Sequence, residues 1–119
     1  MAERISSVAL AKRLYLKRKA FFEGLPENLK VIRERALSLL PSSSVYLFGS
    51  VFRGEHSVAL SDVDIAVVSE AVPENPDERA RLKIEILGEL HGSPIELHLL
   101  TPKEWEFYRN FVRDDYREV

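Results

Sequence analysis

The sequence predicts an α/β (α+β) fold, a small β-sheet with helices packed on it. Three observations carry this. Three short apolar runs, at residues 45–48, 62–69 and 94–100, are bounded by turn residues, as buried strands are. Segments with apolar residues at helical spacing lie before, between and after those runs. Of the 119 residues, 45% are hydrophobic, enough for a packed core and too many for a disordered chain.

Each element has its own signal. Residues 3–22 read as a helix with Ile5, Val8, Leu14, Tyr15, Phe21 and Phe22 as its apolar stripe. Gly24 and Pro26 break it. A second helix follows over 26–40, with Leu29, Ile32, Ala36, Leu39 and Leu40 at helical spacing, and Pro41 and three serines end it. Residues 45–48 are wholly apolar and form the first strand, which Gly49 stops. Ser50 to Phe52 start a short helix, and Arg53, Gly54, Glu55 and His56 turn out of it. Residues 62–69 form the second strand. Asn75, Pro76, Asp77 and Glu78 open a helix, with Asn75 as N-cap, proline in the first position and acids in the first turn. Ala80, Ile84, Leu87 and Leu90 are its expected buried face, and Gly92 follows its end. Residues 94–100 are the third strand. Thr101 caps a last helix with Trp105, Tyr108 and either Phe111 or Val112 on one face.

The length fits one domain, residues 1–119: N-terminal helices over 1–40, a core over 44–101 and a C-terminal helix over 102–119. The net charge of −2 gives no global basic field, so nucleic acid is not the expected partner. The chain has no cysteine, which excludes a disulfide framework and a thiolate metal site and suits a reducing cytoplasm. No apolar run approaches the ~20 residues that span a bilayer. The N-terminal segment mixes charges into its apolar positions and lacks the apolar block of a signal peptide. A cytoplasmic protein without a membrane segment is expected.

The chemistry concentrates around the second strand. Side chains alternate across a strand, so Asp62 and Asp64 share a face, roughly 7 Å apart. Two such charges repel, and a divalent cation removes the conflict. Oxygen ligands suit Mg²⁺ or Mn²⁺ rather than zinc. In the third strand Glu96 and His98 share the face opposite Ile95, Leu97 and Leu99. Glu96 is an acid within an apolar strand, costly there unless paired or metal-bound. If the second and third strands are neighbours, Glu96 joins Asp62 and Asp64. Three carboxylates can hold two metals about 3.5–4 Å apart, the arrangement used for in-line phosphoryl transfer. His98 reads as a structural histidine. Gly49, without a Cβ, permits close approach of the backbone to a ligand. Ser50 offers a hydroxyl and an N–H at a helix start, a seat for phosphate. Arg53, one turn on, can neutralise phosphate charge or pair with Glu55 or Asp62. Lys12, Arg13, Lys17, Arg18 and Lys19 read as a solvated face, with a docking surface as the other reading.

The stretch GSVFRG followed by SDVDIAVV resembles the signature of the DNA polymerase beta-like nucleotidyltransferases, above all the minimal nucleotidyltransferases of prokaryotes. The resemblance covers residues 45–101. It implies a mixed-sheet core, Asp62, Asp64 and Glu96 as catalytic metal ligands, and Gly49 and Ser50 gripping the triphosphate of an NTP. Glu96 stands where relatives often have aspartate. The segment between Ser50 and Asp62 is one residue longer than the family commonly has, and the extra residue falls in the EHSVAL loop. The resemblance also implies an antitoxin paired with a HEPN-domain toxin, some such proteins adenylylating a tyrosine of that partner.

Two functions are thus expected. One is a metal-dependent transfer of AMP from ATP to a hydroxyl acceptor, with Mg²⁺ or Mn²⁺ as cofactor. The other is a binding module that neutralises its partner by occlusion, with little or no catalysis. The intact Gly49, Ser50, Asp62 and Asp64 favour the first. So short a chain lacks an acceptor-recognition domain, so a partner protein is expected in both, and a homo-oligomer is compatible with either.

Overall fold

The computed structural model describes residues 6–119. Five helices and four strands follow in the order α1 (Ser7–Glu23), α2 (Leu25–Leu39), β1 (Ser44–Phe48), α3 (Gly49–Arg53), β2 (Val63–Val68), α4 (Pro76–Leu87), β3 (Ile95–Leu100), α5 (Pro102–Val112) and β4 (Tyr116–Glu118), with a 3-10 turn at Gly88–Leu90 after α4. The predicted α/β fold is present as one mixed four-stranded sheet, ordered β3-β2-β1-β4. β1 runs antiparallel to β2 and to β4. β2 and β3 are parallel, joined by the α4 crossover that a parallel pair requires.

The expected caps form. The Asn75 side chain accepts from the Asp77 and Glu78 backbone N–H groups. Thr101 and Glu104 make a reciprocal capping box at the start of α5. At the C-terminus of α4, Arg35 of α2 donates to the Leu87 carbonyl at 2.8 Å and pairs with Glu89. A cation there meets the negative end of the helix dipole.

Alternation gives the sheet two unequal faces. Val45, Leu47, Val63, Ile65, Val67, Leu97 and Leu99 point to one side and form the main core with Leu29, Ile32 and Ala36 of α2 and Ile86 and Leu87 of α4. Ile32, Ile65 and Ile86 are wholly buried. On the other side Phe48, Ala66, Val68 and Leu100 pack only against α5, through Trp105, with Tyr108 and Val112 beside it. Apart from Phe48, which pairs with Asp64, this second core lies towards the Val68 end of β2. The opposite end of that face carries Asp64, Glu96 and His98.

The structure corrects four expectations. The stripe of α1 is not buried: Val8 is 81% exposed, Leu14 and Tyr15 are about half exposed, and only Phe21 and Phe22 meet the core. Glu3 and Ile5 lie outside the described residues. In α4 the inward residues are Leu82, Ile86 and Leu87, while Ala80 and Ile84 face out. This follows from β3 being the sheet edge, so that the helix overhangs it. Residues 102–119 are not one helix: α5 ends at Val112 and β4 follows, pairing Tyr46 with Glu118 and Phe48 with Tyr116. Finally, Arg18 is not on a solvated face. It donates to the carbonyls of Val58 (2.6 Å) and Ser61, and so ties α1 to the loop before β2. Phe22 stacks on His56 of the same loop at 5.0 Å.

Candidate active site

Two chain reversals bring the site together. β1 ends at Gly49, whose φ of +82° is a conformation that side chains disfavour. A Cβ at Gly49 would lie 2.5 Å from the Oδ2 of Asp64, well inside van der Waals contact. Phe48 pairs with Asp64 across the antiparallel ladder, so the turn at Gly49 folds directly over that carboxylate. The glycine is therefore demanded twice, by its backbone angle and by the aspartate beneath it. α3 starts at the same turn, with Ser50 as its second residue. Gly54, at φ +70°, closes α3 through N–H bonds to the Ser50 and Val51 carbonyls.

The parallel register then sets Glu96 opposite Asp64 and His98 opposite Ala66. The Nε2 of His98 lies 3.4 Å from Asp64 Oδ1 and 3.9 Å from Glu96 Oε1. One ligand atom from each of Asp64, Glu96 and His98 falls within 4.8 Å of the others. This is a donor set that could hold a divalent cation. The cradle under Gly49 supports the fit, because it leaves space for an Asp64 carboxylate and no side chain above it.

Of the residues singled out in the sequence, Gly49, Ser50, Asp64 and Glu96 come to one end of one sheet face. Asp62 stands one residue before β2 and is exposed, and its carboxylate is not in the group gathered within 4.8 Å. Contrary to the expectation from sequence, Glu96 is not a costly buried charge: β3 is an edge strand and the Glu96 side chain is 59% exposed. Arg53 forms an exposed ion pair with Glu55 at 3.1 Å, one of the alternatives expected for it. His98 was the residue that the sequence argument left out of the site. Its signal was its position two residues from Glu96, on the same strand face.

A family model for the nucleotidyltransferase domain matches residues 29–119. The chain belongs to that family. The matched span takes in α2 from Leu29 onward, the whole sheet, α3, α4 and α5, and so includes the Gly49 turn and both strands bearing Asp64 and Glu96. A crystal structure provisionally named a nucleotidyltransferase is similar at 36% identity and a TM-score of 0.63, over 76% of this chain and 95% of that one. A second, from Sulfolobus solfataricus and named in the same way, is 22% identical with a TM-score of 0.57, over 99% of this chain and 89% of that one, and speaks for the fold alone. The search of curated proteins gives no match. The nucleotidyltransferase fold is thus established for this chain. No described helix is long and apolar enough to cross a membrane.

Proposed function

We propose that this nucleotidyltransferase moves AMP from ATP to a hydroxyl of a partner protein, a tyrosine of a HEPN-type toxin, and acts as the antitoxin of that pair. The observation that carries the reading is the interlock of Gly49 with Asp64, with Glu96 at the same register, inside a matched nucleotidyltransferase domain. Residues 44–101 form the catalytic core in this reading. Asp62, Asp64 and Glu96 hold Mg²⁺ or Mn²⁺, which would supply Lewis-acid polarisation of the α-phosphate. Asp62 joins this set from the loop end.

The chain's own residues divide the remaining work. The Gly49–Ser50 turn offers backbone N–H and hydroxyl donors to the β- and γ-phosphates, and Arg53 exchanges Glu55 for phosphate charge. The acceptor oxygen attacks the α-phosphorus, the bond to the β-phosphate oxygen breaks, and pyrophosphate leaves. Glu96, exposed and adjacent, accepts the hydroxyl proton as a carboxylate base can. The exposed apolar residues of α1 favour a protein partner, since among the described residues Val8 is 81% exposed and Leu10 and Leu16 about half. The same observation sustains the second reading, occlusion without catalysis.

Incubation with labelled ATP, Mg²⁺ and the product of the neighbouring gene tests both. Label on a tyrosine of that product is expected. A partner that is neutralised without acquiring label would leave the occlusion reading in place and remove the enzymatic one.

A further inference from the structure

We propose that His98 is itself a ligand of the divalent-cation site, forming with Asp64 and Glu96 a mixed nitrogen and oxygen set that favours Mn²⁺ over Mg²⁺. This rests on the metal-dependent reading above and deepens it by naming a ligand and a preference.

The placement of the ring is the first argument. His98 lies opposite Ala66, whose single methyl leaves room over the sheet, and the ring leans towards Asp64. Phe48 and Tyr108 flank it, with ring centroids at 5.4 and 5.6 Å. Only 17% of its side chain is exposed. Packing rather than solvent therefore fixes its direction, and Nε2 is presented to both carboxylates at once.

The distances are the second argument. Separations of 3.4 and 3.9 Å are long for hydrogen bonds, which close to about 2.7–3.2 Å. They fall between the roughly 3.0 Å and 4.2 Å that separate cis and trans donors around one octahedral ion with bonds of about 2.1 Å. The third argument is donor chemistry. Mg²⁺ takes oxygen ligands almost exclusively, whereas Mn²⁺ accepts carboxylate and binds imidazole more readily.

Pulsed electron paramagnetic resonance of the full chain with Mn²⁺ alone tests this without any turnover. A ¹⁴N coupling from one coordinated imidazole is expected, and it should vanish in His98→Ala and in His98→Gln, the latter keeping a polar side chain at the position. His56 and His91 remain in both variants as internal controls. Mn²⁺ affinity should fall at least about tenfold in each variant, with Mg²⁺ affinity, read by competition, falling much less. Bound Mn²⁺ with no ¹⁴N coupling in the unmodified chain would overturn the ligand assignment and leave the carboxylate site standing. Equal losses for both ions would overturn the preference. Failure of the unmodified chain to bind either ion would overturn this inference together with the metal-dependent reading beneath it.

Discussion

The two faces of the sheet are built from the same strands and do opposite things. The α2–α4 face carries Val45, Leu47, Val63, Ile65, Val67, Leu97 and Leu99 from β1, β2 and β3, and residues of α2 and α4 pack over them. The α5 face begins in the same way, with Val68, Leu100 and Trp105 buried, and then turns polar at Asp64, Glu96 and His98. One helix covers it, and the covered part is the apolar part. Burial holds the strands in register from one side, so the other side tolerates three polar side chains gathered within 4.8 Å of one another.

The sharpest division between the faces comes from Asp64→Asn. Nucleotide transfer should fall by on the order of 10²-fold or more, as when a charge-stabilising group is lost from an active site, with the melting temperature held or raised. Single-turnover rates and thermal denaturation check it. A variant that keeps its activity would remove Asp64 from the site. Ile65→Ala, one residue away and on the closed face, should do the reverse. It should cost about 2–5 kcal/mol in denaturant unfolding, since Ile65 is wholly buried, and leave metal affinity unchanged in the folded fraction. Loss of metal binding without loss of stability would break the comparison.

Gly49→Ala lies between the two. The left-handed backbone angle alone should cost roughly 1–2 kcal/mol, and the new methyl must displace the Asp64 carboxylate. Stability and Mn²⁺ affinity should therefore fall together, whereas a purely conformational role for Gly49 would lower stability alone. The smallest effect is expected at the α5 capping box. Hydrogen bonds from Arg79 lower the Glu104 pKa from the ordinary 4.5 to about 2. Because the folded pKa is the depressed one, the pair's contribution is present above about 4.5 and is lost as pH falls towards about 2. The pair is partly exposed, so the change should stay below about 1 kcal/mol. Glu104→Gln should flatten that part of the acid-stability curve and leave transfer unaltered.

Much of this was legible in the chain itself, for local reasons. Asn75 and Thr101 announce their helices because capping is a contact between near neighbours. The three main strands were placed to within a residue because short, largely apolar runs bounded by turn residues have few other solutions. Gly49 marked the turn after β1, and alternation put Asp64 and Glu96 within reach of one another once β2 and β3 were taken as neighbours. What was not legible depends on partners distant in sequence. β4 is three residues long, mostly charged and paired on one side only, so Tyr116 and Val119 carry all of its apolar signal. The inward side of α4 depends on β3 being an edge, which no window of sequence states. The exposure of α1 runs against its composition, because apolar spacing predicts a buried stripe whether or not the same chain supplies a surface to bury it. His98 was underread because a histidine two residues from an acid is ordinary; its direction is set by Phe48 and Tyr108, which come from other elements.

The central claim is that the open end of the α5 face is where a divalent cation binds. Paramagnetic broadening of backbone amide resonances on addition of sub-stoichiometric Mn²⁺ tests it most directly. The amides of Gly49, Ser50, Asp64, Glu96 and His98 should broaden first, while those of Ile32 and Ile86 beyond the opposite face stay sharp. Broadening that appears instead at exposed acids elsewhere, such as Glu70, Glu74 and Asp114, with Asp64 and Glu96 unaffected, would contradict it.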